Sequence, residues 1–351
     1  MLVTESPAAC CTIPTNRVFM NNKQPESRSD KSLYQSNHVN DWCAGCGDFG
    51  ILRSLEKALA ALQLRPDKVA VFGGIGCSGK TPYYLSTYGI HTLHGRLLPF
   101  ATGAKLANPG LTVIAVGGDG DGLSIGAGHL LHAGRRNIDL TYILFDNGVY
   151  GLTKGQASPT LRFGEHTKAM SAPSITDQLN PLTVALTAGF TWIARGYAYD
   201  VAQLSLLIEQ AIQHPGAAIL SVLQPCPTYN QLHDKDWYAG KDLDNSASRL
   251  YSLQDEGYDP MVPQDAGQDA LQQKMLQCLD VAQQWGTRIP TGVFFQYPGK
   301  PCLLDQLSQR HAGFDIAPPA EQPVCDEQGH PLAQLEPLLR TFTVSATGSR
   351  S

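Results

Sequence analysis

Apolar positions along this chain follow two rhythms that take turns. FGILRSLEKALAAL (49–62) repeats apolar residues every three to four positions, which predicts a helix. KVAVFGGIGCSGK (68–80) is a short apolar run, predicting a buried strand that enters a glycine-rich loop. TGAKLANP (102–109) predicts the end of a helix, and LTVIAVGGDGDG (111–122) a second strand and loop. LSIGAGHLLHAGRR (123–136) predicts a helix and IDLTYILFDN (138–147) a third strand. Residues 178–192 predict a helix entering a strand, 201–214 a helix, and 216–226 the last clear strand. Strands alternating with helices imply an α/β fold, a mostly parallel sheet with helices on both faces. Ligands of such sheets sit at the C-terminal strand ends, where the glycine loops and several cysteines fall.

Residues 1–40 are polar and broken by Pro, Asn and Ser, and predict an N-terminal arm. Residues 41–240 form the predicted main domain. From 241 to 351 the pattern weakens into a C-terminal extension, expected to pack on the domain or on a partner. Within it, 254–268 predict a loop, 269–285 a helix and 291–297 an edge strand.

Charge narrows the function. The 351 residues carry 26 Lys and Arg against 31 Asp and Glu, a net charge of −5. That balance argues against a nucleic-acid partner, which needs a basic face. No run of 18 apolar residues exists to span a membrane. The first twenty residues lack a basic start followed by an apolar stretch, so a cytoplasmic protein is expected. Nine cysteines in a reducing compartment point to ligation rather than disulfides.

Cys43 and Cys46 form W-C-A-G-C-G, a spacing that lets two thiolates face one metal centre. Cys77 lies in G-I-G-C-S-G and Cys226 in Q-P-C-P-T-Y, each just past a predicted strand. Four thiolates suit a structural zinc or a [4Fe–4S] cluster. One close pair with two distant singles is not the two-pair pattern of a zinc ribbon. A buried, inert thiol is the alternative reading for Cys77 or Cys226 taken alone. Cys10, Cys11, Cys278, Cys302 and Cys325 lack such settings.

The stretch Gly74 to Thr81 also satisfies G-x-x-x-x-G-K-[ST], the phosphate loop of nucleotide triphosphatases. Against that reading, no long helix is predicted after it, and Cys77 has no role in cradling phosphate. Lys80 there offers a positive charge to an anion. A second glycine loop, G118-D119-G120-D121-G122, closes a strand and opens a helix, where backbone N–H groups attract phosphate. Asn147 follows Asp119 by 28 residues in D-N-G-V-Y, and a βαβ path returns it beside Asp119. Asp119, Asn147 and one carbonyl would give a divalent cation three oxygens. This is the arrangement of a thiamine-diphosphate motif.

W-C-A-G-C-G-D, G-I-G-C-S-G-K, H-T-L-H-G-R, A-T-G-A-K-L-A-N-P, G-G-D-G-D, A-G-R-R-N, D-N-G-V-Y-G-L-T-K-G-Q-A-S-P-T and P-C-P-T-Y-N occur in order. Over about residues 40–235 the chain thereby resembles the β subunit of 2-oxoacid:ferredoxin oxidoreductases, most closely the 2-oxoglutarate type (KorB). The resemblance implies a thiamine-diphosphate-binding fold. It implies oxidative decarboxylation with coenzyme A to acyl-CoA and CO2, reversible as carboxylation, with electrons leaving through one [4Fe–4S] cluster to ferredoxin. Cys43, Cys46, Cys77 and Cys226 match the cluster ligands. Asp119 and Asn147 match the side-chain Mg2+ ligands and Val149 the carbonyl ligand. Gly118, Gly120 and Asp121 match the diphosphate site, and Gly76, Ser78, His94, Gly95, Gly151 and Leu152 other cofactor contacts. His94 and Arg96 match a catalytic H-G-R stretch, although a structural pair is the plainer reading of those two alone. Lys80, Leu152 and Lys154 match substrate-side residues.

In that family the glutamate that activates the cofactor belongs to an α subunit, which implies an (αβ)2 heterotetramer and an inactive isolated chain. Pyruvate or broad-specificity enzymes share much of this pattern. A thiamine enzyme with zinc on the cysteines, a P-loop protein and a non-catalytic electron-transfer subunit are the other readings.

Overall fold

The computed structural model describes residues 31–244, 246–263, 266–311, 314, 317–332 and 335–342. Cys10, Cys11 and most of the predicted arm lie outside them. The described residues divide between two units, one within 31–318 and the other within 319–342. The described part of the second contains the helix Leu335–Phe342. The first holds the sheet and the functional loops.

Its elements run α1 (Asp48–Ala61), β1 (Val69–Gly73), β2 (Tyr88–His91), α2 (Leu97–Ala107), β3 (Thr112–Gly118), α3 (Ala127–Arg136) and β4 (Leu140–Asp146). After the short hairpin β5 (Val149–Tyr150) and β6 (Gln156–Ala157) come α4 (Pro181–Ala188), β7 (Trp192–Tyr197), α5 (Val201–Gln213) and β8 (Ala217–Leu223). The remainder is α6 (Lys235–Tyr238), β9 (Leu250–Ser252), α7 (Gln268–Ala282), β10 (Ile289–Gln296) and α8 (Leu303–Arg310). Eight strands form one sheet in the order β2-β1-β3-β4-β8-β7-β10-β9. The first six are parallel, and β10 runs antiparallel to β7.

Both faces of the sheet are covered, so its central strands read as continuous apolar runs rather than alternating ones. β1, β4 and β8 are buried nearly end to end. Val71, Ile114, Ile143 and Leu220 pack under α1 and α5, which supply Ile51, Leu55, Leu59, Leu204 and Ile208. Phe72, Ala115, Leu144 and Ile219 point the other way, towards Leu98 of α2, Leu130 of α3 and Leu186 of α4. Burying a leucine such as Leu55 or Leu204 contributes roughly 2 kcal/mol. Gly50 lets α1 approach the chain after β7: a Cβ there would lie 1.9 Å from the Ala198 carbonyl oxygen.

The structure differs from the sequence reading at four points. β10 is not an edge strand, because β9 pairs outside it. β2, which has no apolar alternation, is an exposed edge paired with β1. The helix predicted from 123 begins later: Asp121–Ile125 wind a wide π turn with a kink at Ser124, and α3 starts at Ala127. Residues 250–296 continue the main sheet across the boundary expected near 240.

One buried histidine makes the fold pH-sensitive. His214, 4% exposed, meets Thr191 Oγ1 through Nε2 at 2.8 Å. The Thr191 hydroxyl donates to Asn137 Oδ1, so the imidazole must be the donor. Burial pushes its pKa down from 6.5 to about 4. The unfolded chain therefore binds a proton that the folded one refuses. Stability is intact above pH 6.5, erodes as pH falls towards 4, and changes no further from this group below that. The loss amounts to about 3 kcal/mol. Denaturant titrations between about pH 7 and about pH 4 should show His214→Gln losing less stability than wild type by about that amount; equal losses would contradict this role.

Candidate active site

The motif loops meet at one edge because parallel strands end together. The loop after β1 carries Ile75 to Ser78, that after β3 carries Asp119 to Gly122, that after β4 carries Asn147 to Thr153, and Gln224 follows β8. The chain leaves β1 towards β2 on one side and returns to β3 on the other. The gap between β1 and β3 is therefore the switch point where α/β sheets bind ligands. A cavity of about 220 Å3 opens there. Gly76, Cys77, Ser78, His94, Gly118, Asp119, Gly120, Asp121, Asn147, Val149, Gly151 and Leu152 all line it.

Asp119 is 1% exposed and held by four donors. Its Oδ1 accepts from Gly120 N–H at 2.8 Å. Its Oδ2 accepts from Gly148 N–H at 2.8 Å, from Ser158 Oγ at 2.6 Å and from Thr160 Oγ1. Burial raises its pKa, while the Ser158 and Thr160 hydroxyls oppose that rise. Asn147 Oδ1 accepts from Val149 N–H at 3.0 Å, and its Nδ2 donates to Gln224 Oε1 at 2.6 Å. A carboxylate or amide oxygen has two lone pairs. Among the described bonds, Asp119 Oδ1 and Asn147 Oδ1 each retain one. That donor set fits a hard, oxygen-ligated cation.

Asp121 has a different task. Its Oδ1 accepts from Ile75 N–H at 3.1 Å and Gly95 N–H at 2.8 Å and lies 2.7 Å from His94 Nδ1. The carboxylate thus ties the loops after β1 and β2 to the glycine loop after β3. A Cβ on Gly74 would stand 2.2 Å from Asp121 Oδ2, and one on Gly79 would stand 2.0 Å from the Gly74 carbonyl oxygen. These contacts account for both glycines of the apparent phosphate loop. Ser78–Tyr84 that follows is a 3-10 turn with Pro82 inside it, not the long helix of a nucleotide triphosphatase.

The cysteines converge behind the cavity. Cys46 N–H bonds Cys43 O at 3.0 Å, and Gly47 N–H bonds Pro225 O at 3.1 Å, drawing C-x-x-C against Pro-Cys226. Trp42 Nε1 donates to Cys77 O at 2.8 Å, and Trp42 packs with Cys46 and Tyr84. Burial pushes Cys77 up to about 11 and raises Cys46 and Cys226 as well, and each of the three senses a neighbouring cysteine or the Asp48 charge. Such thiols ionise only with a positive partner at hand. Among the described residues no three His, Cys, Asp or Glu side chains stand close enough for a single metal ion. Cys77 alone of the four lines the cavity.

Besides Cys43, Cys46 and Cys226, four predicted residues stand outside the lining. Lys80 pairs with Asp41 Oδ2 at 2.8 Å. Arg96 Nη1 reaches the Gly95 and Ile125 carbonyls at 3.4 Å. Gly95 acts through its N–H on Asp121, and Lys154 is exposed at a left-handed turn with φ +82°. Sequence reasoning missed Asp48, Tyr150, Ser158, Thr160 and Gln224. Ser158 and Thr160 sit in S-P-T and Gln224 in Q-P-C, inside stretches already marked by their neighbours. Asp48 is buried, lines the cavity and leaves Oδ2 without a described partner; burial pushes it up to about 7.

Fold and loops together define a thiamine-diphosphate enzyme. Residues 74–222 match the family "Thiamine pyrophosphate enzyme, C-terminal TPP binding domain". Residues 226–312 match the C-terminal family of the pyruvate ferredoxin oxidoreductase beta subunit. A 2-oxoacid:ferredoxin oxidoreductase subunit beta of Saccharolobus solfataricus is 47% identical over 87% of this chain and 97% of its own length. The 2-oxoglutarate oxidoreductase subunit KorB of Mycobacterium tuberculosis is 45% identical over 59% of this chain and 55% of its own. Among solved structures, the 2-oxoglutarate:ferredoxin oxidoreductase from Magnetococcus marinus, with 2-oxoglutarate, coenzyme A and succinyl-CoA bound, superposes with a TM-score of 0.72 at 32% identity. That match covers 92% of this chain and 98% of the other. The chain belongs to the β subunits of 2-oxoacid:ferredoxin oxidoreductases. It is an oxidoreductase subunit that works within a multisubunit enzyme alongside an α subunit. No described helix is long and apolar enough to cross a membrane.

The tether on Asp121 is directly testable. Asp121→Ala removes an acceptor shared by two backbone N–H groups and His94, and should cost about 3 kcal/mol in a denaturant titration. A loss below about 1 kcal/mol would mean that the loops hold themselves in place.

Proposed function

We propose that this chain is the cofactor-binding subunit of a cytoplasmic 2-oxoglutarate:ferredoxin oxidoreductase. The observation that carries the reading is the meeting of Asp119, Asn147 and Cys77 in one cavity. Gly118, Gly120 and Ser78 line the place for the diphosphate of thiamine diphosphate, and Asp119, Asn147 and the Val149 carbonyl would hold its Mg2+. When bound, the cofactor supplies the electron sink that decarboxylation of a 2-oxoacid requires. Cys43, Cys46, Cys77 and Cys226 would hold one [4Fe–4S] cluster, which carries electrons singly towards ferredoxin. His94, fixed by Asp121 and edge-on to Tyr150, would exchange a proton in the cavity.

Among the described residues no glutamate lines the cavity, which supports its completion by an α subunit in an (αβ)2 assembly. Coenzyme A as acyl acceptor and 2-oxoglutarate as substrate are supported by the ligands of the Magnetococcus marinus enzyme and by the KorB relatives. Lys80, two residues past the lining residue Ser78, and Lys154, next to the lining residue Thr153, carry the charge a second carboxylate needs; Lys80 would exchange Asp41 for it.

The test is viologen reduction by enzyme co-purified anaerobically with its α subunit. Reduction should require coenzyme A and favour 2-oxoglutarate over pyruvate. Lys80→Met should raise the KM for 2-oxoglutarate by about tenfold or more and leave pyruvate turnover little changed. Equal rates on both acids would defeat the substrate assignment, and turnover by this chain alone would defeat the need for a partner.

A further inference from the structure

Gln224 is the last residue before Pro225 and Cys226 and is 2% exposed. Both ends of its amide are engaged. Oε1 accepts from Asn147 Nδ2 at 2.6 Å. Nε2 donates to Cys46 Sγ at 3.2 Å and to Pro225 O at 2.9 Å. The orientation of the amide is fixed by these partners. Turned over, it would set its oxygen against a sulfur and a carbonyl, and its N–H2 against the N–H2 of Asn147. Asn147 cannot turn to compensate, because its Oδ1 accepts the Val149 N–H at 3.0 Å.

One side chain thus touches a residue of the cation site with one end and a cysteine of the thiol group with the other. We infer that Gln224 is a positioning residue that couples the two cofactor sites, holding Asn147 Oδ1 towards the cation while donating an N–H to the Cys46 sulfur. The inference rests on the thiamine-diphosphate and cluster reading above. An N–H bond to a cluster sulfur favours the reduced, more negative state and so raises the reduction potential. Orienting a cation ligand from behind tightens the cation and whatever it bridges. Neither effect needs Gln224 to touch substrate.

Two variants separate the two ends. Gln224→Met keeps the length and removes both kinds of hydrogen bond. Gln224→Glu keeps an oxygen for Asn147 and loses the N–H on Cys46. Both are made in the anaerobically co-purified αβ enzyme and read by redox titration of the cluster's electron paramagnetic resonance signal and by thiamine diphosphate affinity in the presence of Mg2+. Both should lower the midpoint potential, by about 59 mV for each tenfold shift in a one-electron equilibrium. Gln224→Met should also weaken thiamine diphosphate binding by about tenfold, whereas Gln224→Glu should bind it within a factor of about two of wild type. Unchanged potentials in both variants, unchanged cofactor affinity in Gln224→Met, or loss of the cluster from both would overturn the inference. Wild-type enzyme without the cluster signal would overturn the functional reading along with it.

Discussion

A single buried carboxylate organises the functional edge of this protein. Asp119 ends the strand beside the switch point with almost no solvent contact, and a buried charge costs several kcal/mol unless it is hydrogen-bonded. Only one of its four donors comes from its own loop. The other three, Gly148, Ser158 and Thr160, come from the segment that follows β4. Satisfying Asp119 therefore draws that segment over the sheet edge and sets Asn147 beside it. Asp121, two residues on, does the same for the loops after β1 and β2. The cavity is the space left between loops that two carboxylates have gathered.

The cysteines occupy the other side of the same gathering. Their loops are joined by backbone bonds between C-x-x-C and Pro225 and by the Trp42 bond to Cys77. Burial raises the pKa of Cys46, Cys77 and Cys226 above the ordinary thiol value. Cys77 belongs to both regions, since it lines the cavity while sensing Cys226 and Cys43. That adjacency suits an enzyme in which electrons leave a bound organic cofactor for an inorganic one over a short path.

Much of this was legible in the sequence. Buried parallel strands announce themselves as unbroken apolar runs, so β1, β3, β4 and β8 were found with their loops. The glycine loop and Asn147 were found because a βαβ unit fixes their spacing. β2 escaped because it is a short exposed edge, and β9 because three half-buried residues carry no period. At the site, residues that face a ligand carry motif signals, while those that hold them in place do so through long-range geometry. Ser158 and Thr160 reach Asp119 across 39 and 41 residues, and Gln224 reaches Cys46 across 178. Lys80 shows the same limit: its motif offers a positive charge to an anion, and only the structure shows that Asp41, itself bonded by Tyr84, pairs with it.

The proposed function requires thiamine diphosphate in this cavity with an iron–sulfur cluster beside it. Anomalous diffraction at the iron and zinc edges, on crystals of the anaerobic αβ enzyme loaded with thiamine diphosphate and Mg2+, tests it most directly. The account predicts a single iron-edge feature in this chain, enclosed by Cys43, Cys46, Cys77 and Cys226, with the cofactor's diphosphate against Gly118 to Asp121. A zinc-edge peak at the cysteines, or a cofactor bound away from Asp119 and Asn147, would contradict it.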